Sequence, residues 1–391
     1  MSAVADVMSP LGARGETRTM ATILLVVGAI GLVVGLVMVW PKLIHGGVAF
    51  NQGTDMMWGL PVVAYAYLAL ASFGLSMVAA LGSVFRLYGF ERLAPRLFML
   101  ALAVSVGALA ALALELGYPL RTLWAIPMNM QIGSPMLWMG GFWGIYIVLL
   151  LTMLLRLRQR SVVDPGMRGL AVAISLAGVG ALFTQGLVYG MLVMRPVWYG
   201  AATPLYFTVG ALLAGIALAV LFVNLAFRFN QTAMPEPTRW VMSNSLPVIL
   251  LVALVGYAIS TGARLMTGLW SNAEGVQIVY QHLLGSPWFW FDIIACVLLP
   301  LALLASANLR TSAAIQGLVA ALVLVGLFIS RYEFIIGGQL VPLWKGSWIP
   351  ALVDYAPNAV EWGVVIVGVS LAVLVYAIGD RFFNTGPHAG D

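Results

Sequence analysis

The sequence predicts an all-α, polytopic membrane protein with ten transmembrane helices, and three observations carry that prediction. Apolar residues make up 62% of the 391 positions and charged residues only 8%, against about 25% charged in an ordinary soluble domain. The mean hydropathy is +1.00. The apolar residues also fall into ten runs close to the ~20 residues that cross a bilayer as a helix. This balance excludes a soluble enzyme, a disordered chain and a nucleic-acid-binding module. The excess of basic over acidic residues (19 against 14) is too small to call for a polyanionic partner, and topology accounts for it.

Residues 1–19 are polar, carry Arg14 and Arg18, and lead into the first run, 20–40. No cleavage pattern follows, so that run reads as a signal-anchor helix. The next four runs are 58–85, 97–118, 134–155 and 169–194. Four more cover 203–227, 245–268, 287–307 and 312–330, the last being the shortest and sharing a tight turn with its predecessor. The tenth is 358–379, with a short tail behind it. A G-S-P-x-x-W pattern opens span four (Gly133 to Trp138) and span eight (Gly285 to Trp290). Each follows a Leu-Trp pair, Leu123-Trp124 and Leu269-Trp270. Spans two to five (58–194) and six to nine (203–330) therefore read as two related four-helix bundles, an arrangement familiar in membrane proteins. The first helix with its outer loop (20–57), an outer loop (331–357) and the last helix with its tail (358–391) flank them.

Loop Lys and Arg set the orientation. The N-terminus, the even-numbered loops and the C-terminus carry 13 of the 19, and the other side carries 6, including Lys42, Arg121, Arg195 and Lys345. Both termini are expected in the cytoplasm. The long odd-numbered loops, rich in Trp, Tyr, Pro and Gly, are expected outside, as an aromatic interface belt or as a docking surface.

Ionisable residues inside spans are expensive and functional by default. Here they gather toward the outer ends: Glu115 in span three, Gln185 and Tyr189 in span five, Tyr206 in span six, and Tyr257, Ser260 and Arg264 in span seven. Asp292 lies five residues into span eight, roughly 8 Å deep at ~1.5 Å per residue. Arg331 and Glu333 close span nine, with Tyr332 and Gln339 read as loop residues. Pairing of Asp292 with Arg264 or Arg331 is one reading. A polar pocket that binds a headgroup and moves protons is the other. At the inner side Asn224 reads as a helix-contact residue, and the 19 Met are core filler.

Cofactor chemistry is narrow. The lone Cys296 allows no disulfide, zinc site or iron–sulfur cluster. His45 and His282 fall in loop-like stretches and His388 in the tail, so no haem is expected, and no Ser/His/Asp set is available.

Several elements together resemble the NrfD-type family of integral membrane subunits, the polysulphide reductase membrane-anchor family with its ten-helix, HybB-like branch. They are Trp58-Gly59 at the start of span two, Glu115-Leu116-Gly117-Tyr118 at the end of span three, Gln185, Asp292 followed by Pro300, and Arg331-Tyr332-Glu333-Phe334 with Gly337-Gly338-Gln339. The resemblance covers about residues 45–380. The chain departs from the family's pattern where relatives have an acid near Trp138, a His at the position of Thr184 and an Arg at that of Tyr118, although Arg121 is close by.

The resemblance implies a cofactor-free subunit of a respiratory oxidoreductase complex in the cytoplasmic (inner) membrane of a bacterium. Such a subunit binds menaquinone or ubiquinone near the outer face. It exchanges electrons with an extracytoplasmic, ferredoxin-like iron–sulfur subunit, which serves a molybdopterin enzyme or a hydrogenase. In that reading Glu115 or Asp292 exchanges the proton. Arg264 and Arg331 hydrogen-bond a carbonyl, helped by Arg121 and Tyr118. Gln185 and Tyr189 position the headgroup, and Trp58 and Trp138 line the apolar part. A secondary transporter with its site at a repeat interface, or a purely structural anchor, are the alternative classes.

Overall fold

A computed structural model describes residues 19–342, 352–383 and 385. Arg14, Arg18, Lys345 and His388 lie outside the described residues. Among those described the fold is all helical, with ten helices long and apolar enough to cross a membrane. They are α1 (Thr19–His45), α2 (Leu60–Ser83), α3 (Phe90–Glu115), α4 (Pro135–Leu157) and α5 (Pro165–Gly190). The second half contains α6 (Ala202–Ala226), α7 (Glu236–Leu269), α8 (Pro287–Ala305), α9 (Ala313–Gly337) and α10 (Ala359–Phe382). The chain is a multi-pass integral membrane protein.

Prolines at the first turns of α2, α4 and α5 start helices where a missing N–H costs nothing. Asn358 caps α10 reciprocally with Glu361. In α7 and α8 a proline follows a π-helical turn, Val241–Ser245 before Pro247 and Asp292–Leu298 before Pro300. A proline ring crowds the carbonyl four residues back, and a widened turn relieves the clash.

Several helix boundaries differ from the sequence reading, among them the start of α3 at Phe90 rather than 97. α7 begins at Glu236, nine residues before the expected 245, and at about 50 Å long it exceeds the ~30 Å hydrocarbon layer. α9 runs to Gly337, so Arg331, Tyr332 and Glu333 sit within the helix rather than closing it. The shortest span is α8, of 19 residues, and not the ninth. Charged residues near the end of an apolar run mimic a terminus, although the helix continues through them.

Helix neighbours run α2–α3, α3–α4, α4–α5 and α5–α2, then α6–α7, α7–α8, α8–α9 and α9–α6. α2 also packs on α6 and α9, and α10 packs on α1, α2 and α3. Lipid supplies no hydrophobic drive between helices, so close packing and polar contacts hold them together. α2 crosses α6 where Gly74 faces Ala211 and Gly215, and a Cβ at either glycine would run into the opposing backbone. Tyr146 of α4 donates to the Ser72 carbonyl of α2 (2.8 Å), and Trp143 donates to Ser105 of α3 (2.7 Å). At the short-loop end Asn224 of α6 donates to Gln316 of α9 (3.2 Å), which in turn donates to the Met242 carbonyl of α7 (2.7 Å). Asn224 thus joins helices.

Candidate functional site

The in-span residues Glu115, Arg264, Asp292, Arg331 and Glu333 lie toward the end that carries the 46–59, 116–134, 270–286 and 338–358 connections. They form two separate groups.

The first lines a cavity among α6, α7, α8, α9 and the short helix Val276–Leu284. Tyr206, Thr261, Arg264, Tyr280, Asp292, Ser330 and Glu333 supply its polar wall. Val197, Leu265, Leu283, Phe289 and Phe334 supply the apolar one. Arg264 donates to the Tyr280 hydroxyl at 3.3 Å. Its guanidinium carbon lies 4.2 Å from the Tyr206 ring centroid and 4.7 Å from that of Phe334, in cation–π range. Asp292 is 2% exposed. It opens the widened turn of α8, and α9 makes room for it at Gly326, where a Cβ would strike the carboxylate. Thr261 Oγ1, Asp292 Oδ1 and Glu333 Oε1 are buried and have no hydrogen-bond partner among the described residues. Buried polar atoms are rarely left so. A guanidinium donor and two carboxyl groups around one cavity suit a neutral guest with oxygen functions that accepts, donates and exchanges protons.

Arg331 stands behind this wall. It is 1% exposed, and its guanidinium carbon is 4.4 Å from the ring centroids of both Tyr206 and Phe207. Neither terminal nitrogen has a hydrogen-bond partner among the described residues, so it is not hydrogen-bonded to Asp292.

The second group lies among α3, α10 and the α1–α2 connection. Gln52 Nε2 approaches the Glu115 carboxylate at 3.4 and 3.5 Å. The neighbouring Glu361 is fully saturated. It accepts from the Tyr355 hydroxyl (2.8 Å) and the Asn358 N–H (2.9 Å), while Tyr355 accepts from the Leu60 N–H (2.7 Å). Burial first, and then the nearby Glu361 carboxylate, hold the Tyr355 phenol well above its ordinary range. These bonds dock α10 and its leading segment onto α2.

An aromatic and polar clasp joins the two groups. Trp58 stacks on Trp198 with centroids 5.2 Å apart, and Tyr189 meets both edge-on at 5.4 Å. Gln339 accepts from the Trp58 N–H (2.9 Å) and donates to its carbonyl (2.7 Å). Arg195 donates to the carbonyls of Val341 (2.9 Å), Gln339 (3.4 Å) and Asp55 (3.4 Å). Burial pulls the Arg195 guanidinium down from its ordinary value, and Asp55 opposes this. Trp198 Nε1 donates to the Phe334 carbonyl (2.7 Å).

Of the residues singled out from sequence, Arg264 and Asp292 line the cavity, with Arg331 directly behind it. Tyr189 and Trp58 belong to the clasp. Gln185 is buried in α5 and donates to the Ala66 carbonyl of α2 (3.4 Å). Glu115 sits in the second group. Tyr118 and Arg121 are exposed beside the short helix Thr122–Met128. Trp138 is 48% exposed, donating to its local Ile132 carbonyl and meeting Phe142 at a tilt, as an interface residue would. None of these last three reaches the cavity lining. The sequence reading gave no role to Tyr280 or Trp198; it took Gln339 for a loop residue, and Gln339 does lie in the turn after α9, but 1% exposed. His45 ends α1 and His282 lies in the short helix Val276–Leu284.

Comparison with known proteins agrees with the resemblance. The profile of the polysulphide reductase NrfD family matches residues 48–342. A selenate reductase subunit of Mesobacillus selenatarsenatis is 22% identical over 88% of this chain and 90% of its own length. The Hdr-like menaquinol oxidoreductase integral membrane subunit of Archaeoglobus fulgidus is 23% identical over 84% and 85%, respectively. The menaquinone reductase integral membrane subunit of Nitratidesulfovibrio vulgaris is 23% identical over 73% of each. The family match spans every residue of the cavity and of the clasp, and the chain belongs to the NrfD polysulphide reductase family.

Proposed function

We propose that this chain is the quinone-reactive membrane subunit of a respiratory oxidoreductase complex, and that the cavity among α6–α9 takes the quinone headgroup. The observation that carries the reading is the convergence of Arg264, Asp292, Glu333 and Thr261 on one cavity, with one buried oxygen of each of the last three lacking a partner among the described residues. Its donor set fits a ring with two oxygens that alternate between carbonyl and hydroxyl. Two of the relatives are named for menaquinol or menaquinone chemistry, which supports menaquinone over ubiquinone.

In this reading Arg264 donates to one oxygen of the ring and stabilises negative charge developing there. A fixed cation is worth more in a low-dielectric site than in water. Asp292 accepts the proton released on oxidation or supplies it on reduction, and Glu333 passes it onward. Tyr206 holds Arg264 by its ring face. The clasp of Trp58, Trp198, Arg195 and Gln339 forms the floor on which an extracytoplasmic iron–sulfur subunit docks. Electrons then pass to a molybdopterin enzyme or hydrogenase. The loop charges support both termini in the cytoplasm, and the family resemblance supports a bacterial inner membrane. The neighbours within α2–α5 and within α6–α9 support reading them as the two related bundles that the G-S-P-x-x-W pattern suggests, packed on each other through α2–α6, α5–α6 and α2–α9.

The test is to purify the native complex through a tag on this chain and assay quinone content, iron and quinol turnover with an artificial acceptor. Bound quinone, an iron–sulfur partner and turnover that falls in Arg264→Gln support the reading. A lone chain without quinone, which transports a solute in liposomes, overturns it.

A further inference from the structure

The short-loop end of the protein is basic, as membrane topology asks, but its charge is not spread evenly. The α2–α3 and α4–α5 turns, with the helix ends beside them, hold six exposed arginines: Arg86, Arg92, Arg156, Arg158, Arg160 and Arg168. Glu91 and Asp164 are the acids there. The matching turns of the second half hold Arg228, Arg239 and Arg310. Orientation requires positive charge on this side and is indifferent to which helices carry it. The gathering on one half therefore needs a second cause.

The two turns are built together. Arg86 sits in the tight α2–α3 turn with a φ of 57°, in the left-handed region that favours glycine. Its side chain reaches where a glycine could not: Nη2 donates to the Val163 carbonyl of the α4–α5 turn at 3.1 Å. Asp164 is occupied locally, accepting from the Ser161 N–H at 3.2 Å, and gives α5 no side-chain cap. The first turn of α5 holds Arg168 and no acid. Arg160 Nη1 lies 3.5 Å from where a Cβ on Gly166 of that turn would stand. A helix N-terminus carries partial positive charge and ordinarily draws an acid; here it adds to the arginines. Like charges on two joined turns repel, and salt screens them only beyond about 8 Å. Among the described residues no ion pair offsets Arg156, Arg158, Arg160 or Arg168.

Apolar surface adjoins this charge. Phe85, Leu155 and Val163 are exposed, each next in sequence to Arg86, Arg156 or Asp164. Charged heads beside exposed apolar side chains at the end of a span match the boundary where lipid phosphates meet acyl chains. Basic pockets between helix ends are a setting in which membrane proteins hold multiply charged phospholipids, and a guanidinium fork fits two oxygens of one phosphate.

We propose that the α2–α3 and α4–α5 turns form a headgroup site for an anionic phospholipid with two phosphates. Arg156, Arg158, Arg160 and Arg168 hold the phosphates, and Arg86 fixes the two turns as their frame. The acyl chains lie along Phe85 and Leu155. The lipid neutralises the cluster and ties the ends of α2 to α5 together. The assignment is independent of the quinone reading, and its test needs no turnover.

In the experiment the purified full-length chain, stripped of lipid in detergent, is titrated with cardiolipin, with phosphatidylglycerol at equal phosphate, with phosphatidylcholine and with inorganic pyrophosphate. Thermal unfolding is the readout. Cardiolipin raises the midpoint by several degrees, as a ligand of the folded state does. Phosphatidylglycerol raises it by less than half as much, and phosphatidylcholine and pyrophosphate leave it unchanged. Arg158→Gln with Arg160→Gln removes most of the cardiolipin shift. Arg239→Gln with Arg310→Gln, which takes the same charge from the same end of the second half, keeps it. Equal loss in the two pairs means a diffuse surface charge and overturns the site. A pyrophosphate shift equal to that of cardiolipin overturns the lipid in favour of a free phosphate. Should the first pair fail to fold, the wild-type series decides: cardiolipin no better than phosphatidylglycerol overturns the proposal.

Discussion

Arg264 and Arg331 share one tyrosine: their guanidinium carbons lie 4.2 and 4.4 Å from the centroid of the Tyr206 ring. One arginine lines the cavity and the other stands behind it, with the ring as their common support. The two are therefore expected to respond differently to substitution. Arg264→Gln removes a charge-assisted hydrogen bond worth about 1.5–3 kcal/mol. Quinol kcat/KM measured in the purified complex falls by roughly 10- to 150-fold.

Arg331→Met separates stability from function. A cation buried with neither terminal nitrogen hydrogen-bonded among the described residues is a desolvation burden, and apolar replacement of buried charge is often neutral or stabilising. Thermal unfolding of the detergent-solubilised variant should match or exceed wild type. Its kcat/KM should fall less than in Arg264→Gln, because Tyr206 loses one of its two braces.

The two polar groups make opposite predictions for their acids. Asp292→Asn keeps the shape and removes the exchangeable proton, and general acid–base contributions of this kind are typically about 10²–10⁴-fold. Glu115→Gln lies in the group around Gln52 and leaves turnover within about threefold of wild type. Steady-state kcat for the two variants decides between these acids. Comparable losses would return Glu115 to the proton-exchanging role.

Gln339→Ala strikes the clasp. It leaves the Trp58 N–H and carbonyl without their side-chain partner, at about 1–3 kcal/mol per buried group left unpaired. Limited proteolysis in the 50–59 connection should accelerate, while the α2–α3 and α4–α5 turns at the opposite end keep their wild-type rates.

Gly215→Val tests the joint between the two halves. A side chain there meets the backbone of α2 at Gly74, and helix pairs of this kind depend on small residues for close approach. Expression of folded chain, measured by size-exclusion chromatography in detergent, should be lost. Val248→Ala on the lipid-exposed face of α7 should behave as wild type.

What the sequence disclosed follows from what depth alone encodes. Hydropathy placed all ten spans, and counting along each run put Glu115, Asp292, Arg264 and Arg331 near the same end. Depth says nothing of azimuth, so the reading merged Glu115 and Asp292 into one pocket although they face different neighbours. Trp138 was ambiguous for the same reason: an indole at the membrane boundary serves a belt as well as a pocket. Gln339 was passed over because its partners are the backbone groups of Trp58, 281 residues away in sequence, and no side-chain pattern announces such a bond. Tyr280 was missed because a nine-residue amphipathic helix between two spans reads as connecting loop.

The widened turn Asp292–Leu298 also lets α8 carry one residue more than an ordinary helix of the same phase. Each residue advances an α-helix by about 100°, and a π-turn absorbs the extra one while the helix on either side keeps its facing. Deleting one position inside that turn would restore ordinary winding, leaving Pro287–Phe291 on the same face and altering only the turn that seats Asp292 against Gly326. A one-residue length change, invisible to hydropathy and harmless to the span count, would thus act on one acid and spare the rest of its helix.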